Sequence, residues 1–400
     1  MAGEIHWFRA ADILGVSART MRRWRERYEQ HGPDAFFDRR RETPSRRRVS
    51  GADLARVLQL YRERYRGFNV RHFCEIARRE HQVTRSYSWV KHALQTAGLV
   101  PKRRPRGRHR RRREPRACLG EMLHIDGSPH AWLALAPEER PTLIAVVDDA
   151  TTRLLYAQLA ATESTPTIMR ALSEVFTVHG LPMALYTDRA SWAFYTPKAA
   201  GPVDKTRLTQ VGRALAQLGV EHIPAYSPQA RGRSERLNRT VQDRLVNELR
   251  VAGITTLAAA NTYLRDVFIP YYNATFSRAP RDPEPAWVAI GDVDLDQILC
   301  HEEARVVGQD NAVAVDAVPL QVAKQPGRRT CAGTSVTVRR HLNGHYTIWR
   351  GAQRLGLYDA TGQPVDAAVP VDRPRSRRPT SHLDRRPTTP AGPQRPQASL

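Results

Sequence analysis

Cysteine is scarce in this sequence, and the few present show no pairing pattern. The four residues Cys74, Cys118, Cys300 and Cys331 are scattered without a C-x-x-C pair. Neither a disulfide framework nor a zinc site is expected, which fits a reducing compartment. Long apolar runs are also missing: no stretch of about 18 apolar residues occurs, which argues against a helical membrane span. The opening residues carry Glu4 and His6 and no apolar segment, so they do not read as a signal peptide. Acid is scarce at both ends. Residues 1–116 hold 31 basic and 12 acidic residues, net +19, and residues 371–400 hold 7 and 2, net +5. The 254 residues between them hold 25 and 26, net −1, within a chain of 400 residues and net charge +23. A neutral stretch of that length can bury a full core, which excludes wholesale disorder. A basic arm on a neutral core implies a polyanionic partner, with nucleic acid the first choice.

The arm begins with a helix-turn-helix pattern. In residues 8–16, Ala11, Leu14 and Val16 have helical or turn spacing, Gly15 supplies a permissive turn backbone, and Ser17 is a good N-cap. The following helix, 18–30, sets Met21, Trp24 and Tyr28 on one face and Arg19, Arg22, Arg23, Arg25 and Arg27 on the other. An apolar anchor inside and guanidinium groups outside are what a helix reading a DNA groove needs. A basic linker around Arg39–Arg41 and Arg46–Arg48 leads to a second helical unit at 50–99, itself helix-turn-helix-like. Residues 101–116 hold ten basic residues and one acid, too dense in like charge to form a core and suited to phosphate without sequence preference.

From residue 117 the rhythm changes to an α/β pattern. Strands are expected at 122–126, 142–147, 153–159, 184–187 and 220–224, with helices at 165–180, 208–219 and 231–250. The order βββαβαβα predicts a mixed five-stranded sheet flanked by helices. Three acids fall at telling places: Asp126 at the end of the first strand, Asp188 at the end of the fourth, and Glu235 on the first turns of the last helix. Convergent carboxylates repel, and a hard divalent cation offsets this while keeping coordination sites for phosphate oxygens. On the last helix, Leu237, Val241, Leu245 and Leu249 form the core stripe, with Glu235, Asn238, Arg239 and Gln242 together on its flank. Arg231 and Arg233 precede them, so Arg231, Arg233, Asn238, Arg239 and Gln242 join the α-helical arginines as candidate DNA contacts. Asp148 and Asp149 read as turn-forming acids and His124 as a buried, hydrogen-bonded histidine, while Trp192 suits either base stacking or apolar contact beneath a loop. Alternating segments over 305–359 suggest a small β-barrel, on which Arg339, Arg340 and Arg350 are open to phosphate. The proline-rich tail 371–400 reads as disordered.

The segments HIDGSPHAW (124–132), VVDDATTRLL (146–155), LYTDRAS (185–191), 208–250 and NATFSRAPRDP (273–283) together resemble DDE transposases and retroviral-type integrases. The likeness is greatest to insertion-sequence transposases of the ISNCY type and runs over roughly residues 5–310. It implies a multidomain chain: all-α helix-turn-helix units at 1–48 and 49–100, a basic linker at 101–116, an α/β RNase H-like catalytic domain at 117–290, a small β-barrel at 300–362 and a disordered basic tail at 371–400. The resemblance makes Asp126, Asp188 and Glu235 a catalytic triad binding two Mg²⁺ ions, with Mn²⁺ as the alternative. One departure is a longer spacing: 46 residues separate Asp188 from Glu235, the excess falling in a loop at 191–207. The expected activity is 3′-end cleavage and strand transfer on double-stranded DNA, by a dimer or tetramer in a prokaryotic cytoplasm, with no membrane and no small-molecule substrate. The competing readings are a sequence-specific DNA regulator on a degenerate core and a structure-selective nuclease.

Overall fold

The computed structural model describes residues 5–37, 49–102, 114–198, 201–226 and 232–365. The basic linker's centre and the C-terminal tail lie outside the described residues. Helix α1 (Trp7–Ile13) and helix α2 (Ala18–His31) form the expected helix-turn-helix. Gly15 turns the chain at φ 63°, and the Ser17 hydroxyl accepts from Thr20 N at 3.2 Å to cap α2. The 3₁₀ turn Gly32–Phe36 brings the Phe36 ring against Trp24 and Tyr28, which gives the apolar face of α2 its contact.

Helices α3 (Gly51–Glu63), α4 (Val70–His81) and α5 (Tyr87–Thr96) follow, capped by Ser50, Asn69 and Ser86. Tyr61, Tyr65, Phe68, Phe73, Val90 and Leu94 fill their common core. The central sheet then runs β1 (Met122–Pro129), β2 (Thr142–Asp148), β3 (Leu154–Ala160), β4 (Ala184–Thr187) and β5 (Glu221–Pro224), in spatial order β3-β2-β1-β4-β5. Every residue of β2 is buried, as its unbroken apolar run requires. Strand β1 is central and pairs with β4 in parallel, and β4 pairs with β5 in parallel. Helix α6 (Thr165–His179) crosses between β3 and β4. A Ser164–Thr167 capping box and Pro166 start it, and Ile168, Leu172, Val175 and Phe176 bury its inner face. Helix α7 (Gln210–Gln217) packs on the same core through Val211, Ala214 and Leu215.

Helix α8 (Gly232–Val251) buries Leu237, Val241, Leu245 and Leu249, the stripe read from its spacing. It continues through α9 (Leu257–Tyr263), a π-helical turn at Leu264–Phe268 and α10 (Ile269–Phe276). The described chain divides into two compact units. One joins the N-terminal helices to Ser128–Leu143 and Gly232–Tyr271; the other holds most of the central sheet with α6, α7 and the C-terminal strands. Within the first unit the polar side of α8 is bonded to the 66–75 region. Arg244 meets Glu75 at 2.6 Å, Glu248 meets His72 at 2.7 Å, and Arg250 donates to Arg66 O at 2.8 Å.

After the short helix α11 (Leu295–Ile298) come β6 (His301–Val306), β7 (Ala312–Val315), β8 (Val318–Gln321), β9 (Ser335–Arg340), β10 (Tyr346–Arg350) and β11 (Gln353–Tyr358). They form a four-stranded sheet, β11-β10-β9-β6, and a two-stranded ribbon, β7-β8, around one core. Among the described residues their ladders do not close into the expected barrel. Arg339 and Arg340 have partners within the chain: Arg339 bonds Glu302 at 2.9 Å, and Arg340 pairs with Asp316 at the surface. Among the described residues no helix is long and apolar enough to cross a membrane.

Candidate active site

Strand register positions the first two acids. The β1–β4 ladder pairs Met122 with Ala184, Leu123 with Leu185 and His124 with Tyr186. The ladder stops two residues before each acid: Asp126 lies inside β1, which runs on to Pro129 instead of ending at Asp126 as expected, and Asp188 stands just past the last residue of β4; carried on at the same register, the two strands would bring the acids level. Asp126 is 7% exposed, and Asp188 is half-buried, its Oδ1 accepting from Ala190 N at 3.0 Å. Two carboxylates side by side repel, and hard oxygen donors of this kind suit Mg²⁺. The pair therefore fits a divalent cation. Glu235 lies exposed on the first turn of α8. Among the described residues no group of three or more His, Cys, Asp and Glu side chains stands close enough to hold a metal ion.

The neighbouring acids and histidines have other work. Asp148 Oδ1 accepts from Thr151 N at 2.7 Å and Thr151 Oγ1 at 2.6 Å, and its Oδ2 accepts from Gly120 N at 3.0 Å. This is the turn role expected of it. Burial pushes its carboxyl upward against those hydrogen bonds. Asp149 accepts from Arg116 N at 2.7 Å and meets His124 Nε2 at 2.7 Å, both side chains buried. His124 is thus the buried, bonded histidine the sequence pointed to. On β5, His222 Nε2 lies 3.0 Å from Thr187 Oγ1, which itself donates to Asp188 O at 2.8 Å. His222 therefore acts as donor to Thr187. Burial pushes its pKa down to about 4, keeping it neutral.

Trp192 resolves in favour of apolar contact: it is 8% exposed in the sheet's core. Its indole Nε1 donates to Glu163 Oε1 at 2.8 Å, a partner that no sequence signal marked beyond its place before the α6 cap. The 191–207 loop is pinned down: Arg189 donates to Gly201 O at 2.6 Å, Asp204 N to Tyr195 O at 2.9 Å and Thr209 Oγ1 to Ala193 O at 3.0 Å.

The candidate DNA contacts divide. Arg19, Arg22, Arg23 and Arg25 are all on the exposed face of α2. Arg22 covers the Trp7 ring at 5.1 Å, and Arg25 pairs with Glu29 at 2.7 Å. On α8, Arg239 is exposed and Asn238 half-buried. Gln242 Nε2 donates to Ser128 Oγ at 3.1 Å, so its amide holds β1 instead of standing open to DNA. Arg231 and the side chain of Arg233 lie outside the described residues.

Comparison with known proteins decides the family. The chain is 30% identical over 374 residues to the putative transposase y4bF of Sinorhizobium fredii, covering 92% of this chain and 80% of that protein. The chain belongs to the transposase family. It is also 29% identical over 303 residues to the transposase for insertion sequence IS1202 of Streptococcus pneumoniae, spanning 67% of this chain and 64% of that one. A winged helix-turn-helix family model matches residues 4–55, covering α1 and α2. The simian T-cell lymphotropic virus intasome in complex with a PP2A regulatory subunit aligns at 13% identity and TM-score 0.31, over 71% of this chain and 93% of that one. The HTLV-2 integrase catalytic core domain in complex with magnesium aligns at 13% identity and TM-score 0.27, over 37% of this chain and 85% of that one. Those two scores are too low to add weight, and the family of this transposase stands on its full-length relative.

Proposed function

We propose that this transposase cleaves the 3′ ends of its element and joins them to target DNA, with Asp126, Asp188 and Glu235 as the metal-binding acids. The observation that supports this reading is the parallel β1–β4 register, which, carried two residues beyond its last pair His124–Tyr186, brings Asp126 level with Asp188. Bound by these acids, Mg²⁺ supplies the positive charge that stabilises the attacking and leaving oxygens of an in-line phosphoryl transfer. Asp126 is held within β1 and Asp188 directly after β4, so the protein's contribution is position and charge. Glu235 joins them from the start of α8 as the third ligand, on the strength of the resemblance in QARGRSERLNRT. First a water oxygen attacks the phosphodiester at the element end and the 3′-oxygen leaves. The freed 3′-hydroxyl then attacks a target phosphodiester, and the target's own 3′-oxygen leaves. Arg19, Arg22, Arg23 and Arg25 on α2 contact the DNA. Joining two ends calls for a dimer or tetramer, acting in a prokaryotic cytoplasm.

The test uses the DNA flanking the gene as labelled element ends, with a supercoiled plasmid as target. With Mg²⁺ or Mn²⁺ the wild type yields nicked ends and joined products. Asp126→Asn, Asp188→Asn and Glu235→Gln each lose both products by at least about a thousandfold while retaining DNA binding. Strand transfer persisting in Asp188→Asn would refute the assignment. Protection without cleavage by the wild type would favour a regulator, and cleavage without joining a nuclease.

A further inference from the structure

The β1–β4 ladder ends at His124 and Tyr186, two residues short of each acid. Strand β4 is only four residues long, so Asp188 lies past its end, while β1 runs on to Pro129. Mutual repulsion of the two carboxylates acts to part the two segments beyond the ladder. A contact there that holds both segments offsets this repulsion.

Glu163 occupies the place where such a contact is needed. Gly127, next after Asp126, has no positive φ and so no backbone need for glycine. Its need is for space: a Cβ there would stand 2.2 Å from Glu163 Oε2 and 2.4 Å from its Cδ. The Glu163 carboxylate thus lies directly against the backbone of β1 at Gly127. Its Oε1 also accepts the indole N–H of Trp192 at 2.8 Å. Trp192 is held in the core four residues past Asp188. The turn between them is closed by Ala190 N on Asp188 Oδ1 at 3.0 Å and Ala193 N on Ala190 O at 2.9 Å. Glu163 is fixed in its turn by the capping box that opens α6 one residue later. Strand β1, the turn after β4 and the start of α6 meet through this single side chain.

We propose that Glu163 is a positioning residue, its carboxylate clamping the stretch of β1 that carries Asp126 to the turn that carries Asp188 through Gly127 and the Trp192 indole. The proposal rests on the reading of Asp126 and Asp188 as metal ligands. The clamp needs an acceptor oxygen and the width of a planar group, not a negative charge. Glutamine supplies both, alanine neither. Trp192→Phe keeps the ring in the core and removes the donor.

The test is metal affinity of the full-length, DNA-free chain, read by titrating Mn²⁺ and following water-proton relaxation, with the metal-free unfolding temperature recorded for each variant. Glu163→Ala and Trp192→Phe weaken Mn²⁺ binding by about 10-fold or more, the usual range for groups that orient metal ligands. Glu163→Gln stays within about twofold of wild type. Affinity unchanged in Glu163→Ala overturns the clamp, and so does a loss in Glu163→Gln equal to that in Glu163→Ala, which would make Glu163 a ligand through its charge. A wild type whose binding is absent or insensitive to Asp188→Asn overturns the metal-site reading beneath it. A variant that merely loosens the fold lowers the metal-free unfolding temperature without the recovery that Glu163→Gln gives to affinity.

Discussion

Truncating Arg244 probes the helix that carries Glu235. Arg244 is 3% exposed on α8; its guanidinium meets Glu75 Oε2 at 2.6 Å and Oε1 at 3.5 Å, and it also contacts the Tyr271 hydroxyl. Tyr271 in turn donates to Glu75 at 2.7 Å. Desolvation pushes the Glu75 carboxyl upward, but the Arg244 and Tyr271 hydrogen bonds outweigh it and hold the group below its usual value. Arg244→Ala removes the larger of those two supports and leaves a carboxylate in a partly dry site. Breaking a fully buried pair costs about 3–5 kcal/mol; here the cost is about 3 kcal/mol, because the Glu75 side chain keeps 31% exposure and the Tyr271 bond. Removing both charges together, as Arg244→Met with Glu75→Gln, costs less than the sum of Arg244→Met and Glu75→Gln made singly, so a double-mutant cycle on those two substitutions shows a coupling of about 2 kcal/mol. The assay is urea unfolding of the full chain followed by far-ultraviolet circular dichroism. The pH dependence has a definite sign. In the wild type the depressed Glu75 contributes stability that is present above the ordinary glutamate pKa and lost as pH falls below it. In Arg244→Ala desolvation is less opposed, so that acid-side loss shrinks. Single truncations costing under about 1 kcal/mol, or strictly additive effects, would refute the reasoning.

His222 makes a second pH prediction. Its native pKa is pushed down to about 4, so between roughly pH 6.5 and 4 the unfolded chain takes up a proton that the native state refuses. Stability falls across that window by about 3 kcal/mol at most, and His222→Gln flattens this part of the curve; identical slopes in variant and wild type would contradict the assignment. Gly120 sits at φ +85° with a built Cβ 2.6 Å from the Trp287 ring. Gly120→Ala therefore costs about 3 kcal/mol from backbone strain and overpacking, seen as a lowered unfolding midpoint in urea; an unchanged midpoint would show that the ring gives way freely.

Sequence alone determined the parts of this protein whose physics is local. Ser17 and Ser164 are capping residues wherever they precede a helix, and the all-buried TLIAVV run becomes β2 because only a two-sided core accepts it. The Leu237–Leu249 stripe fixed which side of α8 is inward, and the motif residues carried the family. Charge counted along the chain separated the basic arm from the neutral core before any contact was known. Other features depended on partners far away in sequence. Strand β6 begins at His301, ahead of the alternating segments, because its half-buried and exposed residues carry no alternation. Gln242 looked like a DNA contact until Ser128, 114 positions earlier, was found to hold it. The bonds from α8 to Glu75 and His72 span 169 and 176 positions, and no periodicity encodes them. The same holds for Glu163, unremarkable in its own segment, whose role comes from Gly127 behind it and Trp192 ahead of it. Period and capping report on neighbours three or four residues away, so they put Asp188 correctly after β4 but stop β1 at Asp126, three residues short of its end at Pro129. Bringing the two acids level required the parallel register of β1 and β4, which exists only once the sheet has formed.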